Sequence, residues 1–149
     1  MKTILVTGGC GFIGSNFIRY MLKKYPHYKI INLDKLTYAG NFENLKDVEK
    51  DRNYSFIKGD ICNFRLLEGL IKKVDIIINF AAETHVDRSI KKADSFLKTN
   101  FYGTYVLLEM AKKRKIDLFI QISTDEVYGS REKGFFKETD PLNPSNPYS

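Results

Sequence analysis

Short, wholly apolar runs alternate with longer stretches of helical period along most of the chain, and that alternation predicts an α/β fold. Lys2–Thr7 (KTILVT) reads as a buried strand that ends in a glycine cluster. From Phe12 to Lys24 the apolar residues Ile13, Phe17, Ile18, Met21 and Leu22 fall at helical spacing, and Pro26 helps stop the helix. Further strands are predicted at Lys29–Leu33, Tyr54–Lys58, Asp75–Phe80 and Leu118–Ser123, with a helix at Leu66–Lys73 and one long helix from about Ser89 to Arg114. Strands that are apolar throughout, rather than alternating, belong to a parallel sheet covered on both faces. Strands and helices in turn give a doubly wound parallel α/β sheet. No repeat with a period of about 20–50 residues adds to that pattern.

After Gly129 the texture changes. Gly134, Asp140, Pro141, Asn143, Pro144, Ser145, Asn146 and Pro147 predict a loop. An open sheet of this class ordinarily goes on to at least one more strand and helix, so the sequence is expected to be a truncated piece of a longer protein.

Composition narrows the class. Apolar residues at 43% and charged residues at 28% suit a globular domain rather than disorder. No apolar run approaches the roughly 20 residues of a membrane span, and the opening MKTILVTGG is too short and too glycine-rich for a signal-peptide core. A cytoplasmic protein is expected. Two cysteines, Cys10 and Cys62, are read as reduced packing residues, and His85 has no cysteine or second histidine nearby to make a metal site. The formal charge of +6 raises nucleic acid as a partner. However, the lysines fall in scattered pairs, such as Lys23–Lys24 and Lys112–Lys113, near helix ends where cations suit the dipole. No nucleic-acid motif supports that partner, and the positive field favours an anionic small substrate.

The candidate chemistry begins at the first turn. Gly8, Gly11 and Gly14 stand three apart between the first strand and the first helix. The first permits a tight turn, the second lets backbone approach a pyrophosphate, and the third lets helix pack on strand, as in Rossmann-like dinucleotide folds. The pyrophosphate would rest on the helix N-terminus. Twenty residues past Gly14, Asp34 ends the second strand, where a carboxylate accepts the adenosine ribose hydroxyls and selects NAD over NADP. The plainer alternative is a strand-end aspartate capping the next segment. Lys35 beside it could soften the discrimination. Asp60 and Ile61 follow the third strand, where a carboxylate could take the adenine amino group beside an apolar wall. Ala81 and Ala82 follow the fourth, where small side chains let the cofactor pass.

The stretches TGGCGFIGSNF (7–17), NLDKLTYAGN (32–41), GDICN (59–63), NFAAETHVDRSI (79–90), TNFYGT (99–104) and STDEVYG (123–129) resemble the dTDP-glucose 4,6-dehydratases. That family lies in the extended short-chain dehydrogenase/reductase superfamily. The resemblance implies that residues 1–149 are an incomplete NAD-binding Rossmann domain without its substrate-binding part. It implies that Phe12 and Ile13 contact the pyrophosphate, that Asp34, Lys35, Leu36 and Thr37 surround the ribose, and that Asp60 and Ile61 meet the adenine. Phe80, Ala81, Ala82, Glu83, Thr84 and Thr99 would line the remainder of the cofactor site, with Thr84 and Thr124 also touching the sugar of a nucleotide-diphosphate sugar.

Catalysis in the family would fall to Thr124, Asp125, Glu126 and Tyr148. Tyr148 matches the tyrosine of a YxxxK motif, whose lysine would lie beyond Ser149. It would remove the C4 hydroxyl proton; a phenol with an ordinary pKa of about 10 needs neighbouring positive charge to do so. Glu126 would take the C5 proton and Asp125 would protonate the departing C6 hydroxyl, a division of labour that needs two different environments. Analogy with the superfamily's four-helix interfaces implies a homodimer through the long helix. A UDP-sugar 4-epimerase, decarboxylase or reductase would share the glycine turn, Asp34 and the tyrosine without needing two acids after Thr124. A nonenzymatic dinucleotide-binding module remains an alternative of another class, and the chain as it stands suits it.

Overall fold

The computed structural model describes all 149 residues. Five strands, β1 (Thr3–Thr7), β2 (Lys29–Asp34), β3 (Tyr54–Lys58), β4 (Ile76–Asn79) and β5 (Leu118–Gln121), form one sheet in the order β3-β2-β1-β4-β5, parallel throughout. Helix α1 (Phe12–Lys24) joins β1 to β2, and α2 (Phe64–Leu70) lies between β3 and β4. Between β4 and β5 come α3 (Val86–Lys91), α4 (Asp94–Phe96), a π-helical stretch Leu97–Gly103 and α5 (Thr104–Arg114). The fold is the doubly wound Rossmann-like α/β class that the apolar pattern predicts.

Each central strand feeds two cores, because neighbouring side chains leave opposite faces of a strand. On one face Ile4 and Val6 pack with Ile18 and Leu22 of α1, and with Ile30, Tyr54 and Ile78. On the other, Leu5 packs with Leu67 of α2 and with Val106, Leu107 and Met110 of α5. From β1 the chain winds outward to β2 and β3, then crosses to β4 and β5 on the other side. That reversal opens a crevice beyond the carboxyl ends of β1 and β4, the place where such sheets hold ligands.

Two expectations need correction. The single helix from Ser89 to Arg114 is instead two, because Lys92 turns extended (φ −151°, ψ 87°) after its N–H closes α3 on Arg88 O. No glycine or proline marks the break; Ser89 Oγ donating back to Val86 O at 2.6 Å is the local polar contact that goes with a short, self-contained α3. The second correction concerns coverage. β5 is as apolar as the other strands, yet Leu118 and Ile120 are 47% and 37% exposed, because β5 is the sheet edge and only part of each face is packed. Other boundaries shift by one to three residues, the largest where α2 passes into a 3-10 turn at Ile71–Lys73. No helix is long and apolar enough to cross a membrane.

Candidate functional site

The glycine turn is fixed by contacts that leave no room for side chains. Gly8 has φ +69°, and a Cβ there would stand 2.6 Å from the backbone N of Ala81. A Cβ on Gly14 would meet Gly8 O at 2.5 Å. Both glycines are therefore demanded by the fold itself. Gly11 differs: its φ −75° and ψ 173° suit any residue, and the nearest atom to an added Cβ is 3.3 Å away. Its bareness serves the space in front of it. Gly11 gives α1 no side-chain cap, and the first turn carries no acidic residue, so the leading amides of a thirteen-residue helix face the crevice.

Asp34 is tied into the same unit. It is 7% exposed, accepting Cys10 N–H at Oδ2 (2.9 Å) and Leu36 N–H at Oδ1 (2.8 Å). Leu36 reaches that bond from a left-handed conformation (φ 56°), which costs a branched residue about 1–2 kcal/mol. Gly40 approaches the same carboxylate so closely that a Cβ would lie 2.7 Å from Oδ1. Cys10 O in turn accepts Asn41 N–H and Asn44 Nδ2–H, both at 3.0 Å. Burial, with the Asp34 charge adding to it, pushes the Cys10 thiol up to about 11, so this cysteine is a neutral packing group rather than a nucleophile.

A cleft of about 460 Å³ runs over these residues. Gly8, Gly11, Phe12, Ile13, Gly14, Asp34, Lys35, Thr37, Asp60, Ile61, Phe80, Ala81, Ala82, Glu83, Thr84, Thr99 and Tyr148 all line it. The structure thus brings to one wall every expected cofactor residue but Leu36, whose side chain turns inward against the α1-side core. Leu33, Ala39, Gly40, Gly59, Ile122 and Ser123 line it as well and are not among the expected residues. Leu33 and Gly59 carried a signal, since each stands beside an expected ligand, Asp34 and Asp60. The others lend their position rather than their chemistry.

Polar cross-ties hold the rim. Asn100 on the π-helical stretch donates to Glu83 O (2.9 Å) and accepts Glu83 N–H (2.8 Å), fixing the loop after β4. Below the cleft, Asn79 of β4 bonds Thr7 Oγ1 and donates to Gln121 Oε1 at 2.8 Å, linking β1, β4 and β5. Where β2 and β3 end, Lys35 Nζ lies 2.8 Å from Asp60 Oδ2, while Cys62 N–H donates to Asp60 Oδ1 at 2.9 Å. The hydrogen bond to Asp60 raises the Lys35 ammonium pKa. Burial alone would raise the Asp60 carboxyl, but the Lys35 and Cys62 hydrogen bonds prevail and hold it below the usual carboxylate range.

The catalytic candidates are held more loosely. Thr124 caps the turn Asp125–Tyr128, its hydroxyl accepting Glu126 N–H at 3.2 Å. Asp125 and Glu126 are exposed and, like Thr124, stand outside the lining of the cleft. The tail folds back on this turn: Asn143 N–H donates to Val127 O at 2.9 Å, and Asn146 Nδ2–H reaches Glu126 Oε2 at 3.4 Å. That return brings Tyr148 into the cleft, with its ring edge-on to Phe96 (6.4 Å between centroids). Tyr128 stacks on Phe136 and takes a packing role. His85 forms no cluster of metal-ligating groups.

Known proteins bear on this arrangement. The chain is 52% identical over 146 residues to the low-salt glycan biosynthesis protein Agl12 of Haloferax volcanii, covering 98% of this chain and 47% of that protein. The crystal structure of DesIV, a dTDP-glucose 4,6-dehydratase from Streptomyces venezuelae with NAD and TYD bound, superposes with a TM-score of 0.94 at 47% identity, over 98% of this chain and 47% of that one. The UDP-Glc/GlcNAc 4-epimerase of Campylobacter jejuni superposes with a TM-score of 0.91, but at 32% identity, over 99% of this chain and 45% of that one. The chain spans about half the length of the relatives it matches. Its sequence is thus nearer to the dehydratase than to the epimerase on a shared fold. A family model described as GDP-mannose 4,6 dehydratase matches residues 5–149, and the chain belongs to that family.

Proposed function

We propose that residues 1–149 are the dinucleotide-binding part of an NAD-dependent nucleotide-sugar 4,6-dehydratase that acts on dTDP-glucose. A longer polypeptide would supply the rest of the sugar site, as the length of the relatives suggests. The observation that carries the reading is one cleft lined by the glycine turn, Asp34, Asp60 and Tyr148, with an acid pair directly after Thr124 at its edge.

The residues fit NAD. The uncapped first turn of α1 suits a pyrophosphate, and the backbone of Gly11 leaves it room. Asp34 keeps lone pairs for two ribose hydroxyls after accepting its two amides, and its charge repels a 2′-phosphate. NAD held by these residues would supply the hydride acceptor for C4 oxidation and the hydride donor for C6. The chain's own groups manage the protons. Tyr148 takes the C4 hydroxyl proton, and the Thr124 hydroxyl orients the oxygen that loses it. Glu126 removes the C5 proton, acidified by the new ketone, and Asp125 protonates the departing C6 hydroxyl. Both acids stand in water in this chain, so the environments that divide their roles arise once sugar and the remaining polypeptide cover them.

A cytoplasmic location belongs to the same proposal, since dinucleotide and nucleotide sugar are both intracellular metabolites. So does pairing of two copies through the 94–114 helix, which exposes Phe101, Tyr102, Tyr105 and Leu108. In the longer protein, Asp125→Asn and Glu126→Gln should each lower dehydration by about 10²–10⁴-fold while cofactor binding is kept. Tyr148→Phe should stop the first oxidation, read as loss of reduced-cofactor absorbance on mixing with dTDP-glucose. Wild-type turnover by both acid variants would transfer the chain to the 4-epimerase reading.

A further inference from the structure

Asp34 and Lys35 pull cofactor choice in opposite directions. A carboxylate at the end of β2 refuses the 2′-phosphate of NADP, whereas a cation close by is the means by which dinucleotide folds accept it. That phosphate carries nearly two negative charges at neutral pH. An unpaired ammonium one residue from Asp34 would therefore offset much of the selection Asp34 provides. Sheet register decides what Lys35 meets. β2 and β3 run side by side with Asp34 opposite Lys58, and Gly59 N–H donates to Asp34 O at 2.9 Å. Lys35 directly after Asp34, and Asp60 one residue past Gly59, leave the two strands on the same side and meet at 2.8 Å from Nζ to Oδ2.

We propose that Asp60 is a specificity-determining residue, which holds the Lys35 ammonium away from the ribose and so keeps the site selective for the dinucleotide lacking a 2′-phosphate. The proposal rests on the NAD reading above. Two features make Asp60 a firm acceptor. Its other oxygen takes the Cys62 N–H at 2.9 Å, so the carboxylate cannot swing out after a departing lysine. Its side chain is 24% exposed against 52% for Lys35, so Lys35 is the mobile member of the pair. The pKa directions agree with a formed ion pair: up for Lys35, down for Asp60. Lys35 also carries the reach to turn: freed, its four-carbon stem sweeps the same end of the cleft that it and Asp34 line.

The test is the ratio of dissociation constants for NADPH and NADH, by fluorescence titration of the chain and its variants. Asp60→Asn keeps an acceptor for the Cys62 amide and removes the charge. It should lower the ratio about tenfold, by tightening NADPH relative to NADH. Adding Lys35→Met to Asp60→Asn should restore the wild-type ratio, and Lys35→Met alone should leave that ratio unchanged or higher. If Asp60→Asn weakens both cofactors equally, Asp60 is an adenine contact only and the proposal fails, as it does if the double variant keeps the lowered ratio. Should Asp60→Asn not fold, Asp60→Ser is read by the same ratio. A wild-type chain that prefers NADPH or binds neither cofactor overturns the NAD reading itself, an outcome separate from an unchanged ratio in a wild-type chain that does prefer NADH.

Discussion

The β1–α1–β2 unit and the segment that follows β5 border the same cleft, but different forces hold them there. In the first, strands interleave two cores, Asp34 is buried on two backbone amides, and Gly8 and Gly14 touch backbone at distances that admit no side chain. In the second, β5 is half-open, Thr124, Asp125 and Glu126 sit on a short exposed turn, and the returning tail is held by a few polar contacts. In the function proposed, a flexible dinucleotide is ordered by a preformed socket. Groups that move protons on a sugar can await the sugar and the rest of its pocket before they are fixed.

The sharpest test of that contrast uses one glycine from each side. Gly8→Ala should cost about 3 kcal/mol or more, combining a left-handed alanine with a collision on the Phe80–Ala81 backbone, and lower the melting temperature by roughly 10 °C. Gly129 also has positive φ (+81°), and a Cβ there would meet Asn143 O at 2.5 Å. Yet Gly129→Ala should shift melting by no more than about 2 °C, because the tail can detach. Faster proteolysis within 130–149 is the expected readout. Equal melting losses in the two variants would break the comparison.

Within the rigid half, Gly11 separates fold from ligand. Gly11→Ala should melt close to wild type, since the added Cβ has ordinary backbone angles and meets only Gly8 O at 3.3 Å and Ala39 O at 3.8 Å. It should lose NADH affinity by about 10²-fold, as expected when backbone can no longer approach a pyrophosphate. Retained affinity by titration would mean the pyrophosphate lies elsewhere.

The turn and core were legible in the sequence because both follow from local rules. Glycine spacing, apolar period and the Asp34 offset all act within about thirty residues. What escaped depends on distant packing. The break at Lys92–Ala93 has no glycine or proline to announce it, and the exposure of β5 depends on what packs beside it. Leu36 was expected at the ribose as part of a contiguous motif; its left-handed φ sends the side chain to the core and only its amide to Asp34. Asn100, which ties the loop after β4 to the π-helical stretch, is indistinguishable in sequence from a surface asparagine; Asn79 stands in a predicted strand, but its partners Thr7 and Gln121 are far along the chain.

A smaller effect follows from the buried thiol of Cys10. The unfolded thiol ionises near 9.0, while burial first and the Asp34 charge second hold the folded one to about 11. The folded chain therefore keeps a proton that the unfolded chain has released, and stability should be level up to about pH 9 and decline from there to about pH 11. The loss attributable to Cys10 is on the order of 2 kcal/mol. Urea midpoints across that window should fall less steeply in Cys10→Ala. Some slope should remain, because burial also raises Tyr54 and Cys62. An unchanged slope would mean that the core about the glycine turn admits hydroxide, contrary to the rigidity assigned to it.

The π-helical stretch Leu97–Gly103 stores information as length. Wider than the α-helix it runs into, it takes up residues without advancing the axis as far. Downstream, Val106, Leu107 and Met110 are locked in the core; within the stretch, Thr99 lines the cleft and Asn100 grips Glu83. Removing one residue from the stretch lets it rewind as α-helix with the helix on either side kept in phase, so the change of facing falls on residues inside the stretch. Phe96 before the stretch and Val106, Leu107 and Met110 after it would keep their buried places, while Thr99 and Asn100 would face elsewhere. For this helix, substitutions are read by packing, but insertions and deletions are read by the binding site, so the gap-free length of this segment is itself a heritable part of the cleft.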